Sequence, residues 1–239
     1  HEIRMRFEVL WRDAEINFYQ ALIEQPNQKQ ALREQLTAKQ VKLQQDFAFV
    51  ANTNVGGEFM ADEKLKQLSE IAKTTWQRNF DDTLGLSPVE QLITSPHKQE
   101  LPVTESLLSD KPEHIIQRET SLAYQEDHGI KMPMPEHKAN LGELYNLSIS
   151  RGTLTAEDRY IINEHVIGTI KMLEQLPFPP ELANVPKFAS THHETLIGTG
   201  YPRKLSAAEL TTPERVLVIA DIFEALTAAN RPLKKAKPL

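Results

Sequence analysis

At 239 residues the chain is long enough for one large domain or two small ones, and its 40% hydrophobic and 25% charged residues suit a globular protein. A net charge of −6 supplies no field for a nucleic-acid polymer, although a small anion in a local basic pocket stays compatible with it. The absence of cysteine excludes disulfides and thiolate ligands, leaving His, Asp, Glu and water for any metal.

The sequence starts in helical rhythm, with Ile3, Phe7, Leu10, Trp11, Ala14, Phe18 and Leu22 on one face. Pro26 and Asn27 break it. A second helix is expected from about Gln28 to Asn52, with Leu32, Leu36, Leu43, Phe47 and Val50 inward. After the turn "NVGGEF", Asp62 is expected to cap a third helix carrying Leu65, Leu68, Ala72 and Trp76. Residues 1–80 therefore read as a helical hairpin with an added arm, used for packing or partner contact; a homodimer through these helices is one expectation. Residues 81–139 read as an irregular connecting segment with short helices. Ser87-Pro88-Val89-Glu90 joins a cap, a proline at the first helical position and an acid at the third, which predicts one of them. His97, His114, His128 and His137 lack ligand spacing and read as solvated.

Residues 140–239 carry more information. Thr155 before "AED" predicts a helix from about Ala156 to Leu176, closed by Pro177, Pro179 and Pro180. A shorter helix is expected to end in Ser190-Thr191-His192-His193, and Thr212-Pro213-Glu214-Arg215 opens a last one to about Ala229. No alternating strand pattern survives at useful length, so the expected fold class is all-α. No run of about 18 apolar residues exists, so no membrane contact is expected within the chain. A cytoplasmic location fits the cysteine-free composition. The first helix has neither an initiator Met nor an N-cap, and "RPLKKAKPL" stops without a closing element. The chain is thus expected to be a piece of a longer protein, in which a membrane anchor could lie elsewhere.

Four residues stand out chemically. His165 falls on a stripe with Ile162, Val166, Thr169, Leu173 and Leu176, where it reads either as a core histidine or as a ligand. Asp221 lies in "VLVIADIFEAL", apolar around nearly its whole circumference. A carboxylate on a buried helix needs a cation or several donors, and Arg215 or Arg231 offers a plain ion pair instead. His192 and His193 complete a set of three imidazoles and one carboxylate, which suits Fe, Mn, Zn or Ni at an open site.

On "GTLTAEDRYIINEHV", "HHETLIGTGYPRKL" and "ERVLVIADIFEALTAANRPLKKAKPL", the sequence resembles the HD-GYP phosphodiesterases, a branch of the HD-domain metal-dependent phosphohydrolases, over about residues 140 to 239. The resemblance implies a multi-helix HD-type bundle to which the hairpin is an addition. It implies that His165, His192, His193 and Asp221 bind two or three divalent ions, iron or manganese. It also implies a bacterial cyclic dinucleotide as substrate, cyclic di-GMP or the mixed cyclic GMP–AMP, hydrolysed to a linear product. Tyr201, Arg231 and Lys234 fall where the family contacts the nucleotide and its phosphates, and Arg203 and Lys204 add local positive charge.

Departures accompany the likeness. The family's His-Asp pair and assisting lysine do not occur upstream of the "LTAED" helix; "EDHGIK" reverses the order, and "EHKANLGELY" has no aspartate behind its histidine. The pair is expected before His1, with the first 140 residues largely an insertion; if it is lost, the alternative is a non-catalytic module that binds a ligand or partner. A third reading keeps the site for another small phosphoester. Ile197 stands where the family commonly has aspartate, and Leu233 replaces the usual tyrosine of the Arg-Pro-Tyr segment.

Overall fold

The structure, a computed structural model, describes residues 2–57, 59–93, 100–119 and 123–228. It is predominantly helical, as expected, and divides into two compact units. The first comprises His1–Arg118 and His137–Thr155; the second comprises Glu119–Glu136 and Ala156–Leu239.

In the first unit, α1 (Glu2–Glu24) and α2 (Lys29–Val55) form the expected hairpin around a turn containing Pro26. Phe7, Leu10, Leu43 and Val50 are buried between them, and Phe7 meets Phe47 edge-on at 5.4 Å. The arm, α3 (Asp62–Ala72), adds Leu68, Ile71 and Ala72 to this core. It ends before Trp76, which was expected on its apolar stripe. Thr74 and Thr75 favour extended backbone, and Trp76 lies instead in β1 (Thr75–Arg78).

The predicted cap at Ser87 is present, its amide donating to Glu90 (2.7 Å) at the start of α4 (Pro88–Ile93). β1 pairs antiparallel with β2 (Val103–Ser106), Thr75 opposite Ser106. β3 (Ile115–Gln117) likewise pairs with β4 (His137–Asn140). Strands of three or four residues are too short for alternation to be legible in sequence. Arg6 pins the core edge, its guanidinium donating to Glu143 (2.6 Å) and to the Leu107 carbonyl (2.9 Å).

The second unit holds α5 (Ala123–Asp127), whereas α6 (Glu143–Leu147) belongs to the first. The single helix expected over 156–176 is two, α7 (Ala156–Asn163) and α8 (His165–Leu173), separated at Glu164. Tyr160, Val166, Ile167 and Ile170 face inward with Ile130 and Met132 from the preceding segment, and Gln125 donates to the Tyr160 hydroxyl. The short α9 (Val185–Ala189) ends at Ser190 as expected.

The last helix, α10 (Thr212–Thr227), was expected to be buried nearly all round. It is not: Val216, Ile219 and Phe223 are more than half exposed. Burial along it falls on Glu214, Val218, Asp221 and the last turn. Among the described residues no helix is long and apolar enough to cross a membrane.

Glu214 anchors α10. Its buried carboxylate accepts the Thr211 amide (2.7 Å) and hydroxyl, a capping box, and lies 3.6 Å from the Lys187 ammonium. Burial pushes the Glu214 carboxyl up, but the Thr211 donors and Lys187 together bring it below its ordinary 4.5. A carboxyl depressed on folding contributes stability above the unfolded value and loses it as pH falls through the folded one. Thermal melts between about pH 6 and about pH 3 should therefore fall more steeply for the wild type than for Glu214→Gln. Parallel profiles would contradict this.

Candidate metal centre

The site grows from two local features of the second unit. At the break between α7 and α8, His165 opens the new helix on the exposed side, so it is not a core histidine. Its Nδ1 lies 2.6 Å from the Ile162 carbonyl. Just past α9, His192 places Nδ1 2.6 Å from the Ala189 carbonyl. A carbonyl oxygen only accepts, so in both rings Nδ1 carries a proton, which leaves Nε2 as the atom available to a metal.

His193 is oriented from the opposite side. Its Nδ1 faces the Asp221 carboxylate at 3.3 Å, which likewise leaves Nε2 as the free lone pair. Burial first, then the neighbouring His192, holds the His193 ring below its ordinary 6.5; Asp221 pulls the other way and His165 adds to the depression. At neutral pH the ring is therefore in the ligand-competent, uncharged form.

These three rings converge. Ring centroids are 4.1 Å apart for His192–His193, 5.0 Å for His165–His193 and 5.8 Å for His165–His192. One ligand atom from each lies within 4.8 Å of the others, so the three could hold a metal ion. The Nε2 atoms of His165 and His193 approach to 3.1 Å. Two lone pairs at that distance repel unless a proton or a cation sits against both. Nitrogens sharing one cation at bonds of about 2.1 Å lie about 3.0–3.4 Å apart, so the donor set fits a divalent metal. Asp221 is half-buried and joins through His193. The bland alternative of an Arg215 ion pair is not what is found: that guanidinium donates to the Leu210 (3.0 Å) and Ala207 (2.5 Å) carbonyls.

The glycine-rich turn closes the site. Gly200 passes so near the preceding chain that a Cβ would lie 2.5 Å from Glu194 Cα and from the His193 carbonyl oxygen. Only glycine permits that approach. Its neighbour Tyr201 stacks on His193 with centroids 4.7 Å apart and 27° between planes, and donates its amide to the His193 carbonyl (3.2 Å). Burial, then Asp221, raises the Tyr201 hydroxyl above its ordinary value, so it remains a proton donor.

Arg203, expected near phosphate, donates Nε to the His128 carbonyl and Nη1 to Ser190 Oγ, both at 3.0 Å. Ile197 is exposed at the loop tip, bridged to Ser206. Arg231, Leu233 and Lys234 lie outside the described residues, as does His97. His114, His128 and His137, read as solvated, are half-buried. His114 Nδ1 accepts the Lys111 amide (3.1 Å), His128 pairs with Glu174 (3.0 Å), and His137 sits in β4.

Sequence reasoning missed Glu194. It is 1% exposed, its two oxygens accepting the amides of Arg203 (2.6 Å) and Leu205 (2.8 Å). A buried carboxylate in an irregular loop has no periodicity to mark it.

Fold and site together define a mainly helical protein with a histidine centre of the metal-binding kind. The sequence matches the HD domain family over residues 102–239, more than half its length, and the chain belongs to that family. The resemblance to the HD-GYP phosphodiesterases is thereby borne out. Among curated relatives, the chain is 36% identical over 89 residues to 3'3'-cGAMP-specific phosphodiesterase 3 of Vibrio cholerae serotype O1, covering 37% of this chain and 18% of that protein. It is 47% identical over 53 residues to 3'3'-cGAMP-specific phosphodiesterase 1 of the same organism, covering 22% and 12%. To the cyclic di-GMP phosphodiesterase of Thermotoga maritima it is 32% identical over 111 residues, covering 46% and 30%. The chain thus spans less than a third of the length of each of these relatives. No solved structure matches it.

Proposed function

We propose that this chain is part of a metal-dependent phosphodiesterase that opens a cyclic dinucleotide to a linear product, with cyclic di-GMP the first candidate and cyclic GMP–AMP the second. The convergence of three imidazoles, each oriented by a carbonyl or carboxylate behind its ring, supports this most strongly. The names of the relatives support the substrate class. His165, His192 and His193 would hold the divalent metal, two or three ions of iron or manganese, with Asp221 behind His193 Nδ1 orienting that ring. Such ions, when bound, supply Lewis acidity at a phosphoryl oxygen and make water more acidic.

The chain's own groups do the rest. Imidazoles with committed Nδ1 protons keep the donor atoms of the three rings close together. Tyr201, fixed on His193, offers a hydroxyl donor and a ring face to the dinucleotide. Arg203 tethers the loop that carries Tyr201, and its charge, with that of Arg231 and Lys234, balances phosphate. In hydrolysis a water oxygen bonds to phosphorus as one phosphorus–ester oxygen bond breaks, and the proton goes to the leaving sugar oxygen.

The test is turnover of cyclic di-GMP and cyclic GMP–AMP by the intact protein loaded with Mn(II) or Fe(II). His192→Ala and Asp221→Ala are each expected to lower it by about a hundredfold or more. Turnover untouched by either change would remove the assignment. Binding without turnover would favour a ligand-binding module.

A further inference from the structure

Resting on that reading, we infer that Glu194 is a positioning residue whose carboxylate sets where Tyr201 stands. Glu194 follows His193 directly, yet its side chain turns inward and is almost wholly buried. Both carboxylate oxygens are used on backbone: Oε1 on the Arg203 amide at 2.6 Å, Oε2 on the Leu205 amide at 2.8 Å. One side chain thus closes the loop from 194 to 205 upon itself.

Three further contacts confine what lies between. Gly200 rests on the Glu194 and His193 backbone, leaving no room for a Cβ. The Tyr201 amide donates to the His193 carbonyl, and the Arg203 guanidinium ties the loop's far side to His128 and Ser190. Tyr201 sits midway, its ring on His193. The turn's backbone therefore has one position compatible with both Glu194 bonds, and that position stacks Tyr201 over the metal-facing imidazole.

The need is for a carboxylate, not merely for volume. Two converging amide donors require two acceptors on one planar group. Glutamine has the same shape but offers one acceptor and one donor, so one amide would face another N–H. Loss of a buried acceptor is felt by the group left behind, not shared over the fold.

Nitration of tyrosines in the intact protein by tetranitromethane, resolved by peptide mass mapping, tests this without requiring turnover. In Glu194→Gln the rate at Tyr201 is expected to rise about tenfold. Tyr160, 3% exposed in the core of the same unit, should stay unreactive. An unchanged Tyr201 rate overturns the proposal. A rise at Tyr160 as well, or failure of the variant to fold, assigns Glu194 to general stability and overturns it equally. Where the wild type turns over a cyclic dinucleotide, Glu194→Gln should add no further loss in a Tyr201→Ala background, which lacks both ring and hydroxyl, whereas additive losses count against it. A wild type without turnover defeats the proposed function alone, since the nitration result still decides the role of Glu194.

Discussion

Mn(II) affinity of chelator-stripped protein is expected to fall about a hundredfold in His193→Ala and about tenfold in Asp221→Asn, as read by calorimetric titration. His193 sits at the centre of the cluster, touching His165 through Nε2 and Asp221 through Nδ1 while stacking on Tyr201. Its removal takes away a ligand and also the cause of the 3.1 Å nitrogen pair. Asp221→Asn acts at one remove. An amide oxygen still accepts the Nδ1 proton, but without a charge it favours that tautomer less and lowers the basicity of Nε2. Asp221 charge also reaches the Tyr201 hydroxyl, so the same change should let that group ionise more easily. Equal affinity in wild type and His193→Ala would mean that the three imidazoles do not share a cation.

Gly200→Ala is expected to destabilise the second unit by about 3 kcal/mol and to separate Tyr201 from His193. The added carbon would lie 2.5 Å from Glu194 Cα and from the His193 carbonyl oxygen, and 2.6 Å from the Thr195 amide nitrogen. All three are backbone atoms, so no rotamer change relieves the contact. The chain on one side of the turn has to move, and the side that moves carries either His193 or Tyr201. Gly168→Ala supplies the internal comparison. Nothing lies within 4 Å of its would-be Cβ, and it sits inside α8, where alanine is favoured over glycine by about 1 kcal/mol. Thermal melts should therefore shift in opposite directions for the two variants. A Gly200→Ala melt that matches the wild type would show that the turn has slack.

Which residues were candidates for chemistry was readable from residue types. Imidazoles and a carboxylate in a chain without cysteine admit only a narrow range of ligand sets, and helix starts at Pro88, Ala156 and Thr212 follow from short-range capping, which involves neighbours a few positions apart. Stretches whose outcome depends on distant partners were different. Trp76 lies in a strand because Glu105 and its neighbours pair with it, and α10 stays exposed along Val216, Ile219 and Phe223 because its covered side is the one carrying Glu214, Val218 and Asp221.

Tertiary structure alone decided the tasks within the site. It set His165 apart from the apolar stripe on which its spacing places it, gave Asp221 to His193 and not to Arg215, and turned Glu194 inward. The physical reason is range. Capping and periodicity act within a turn of helix, whereas a lone pair's direction is set by whichever carbonyl or carboxylate the folded chain brings behind the ring.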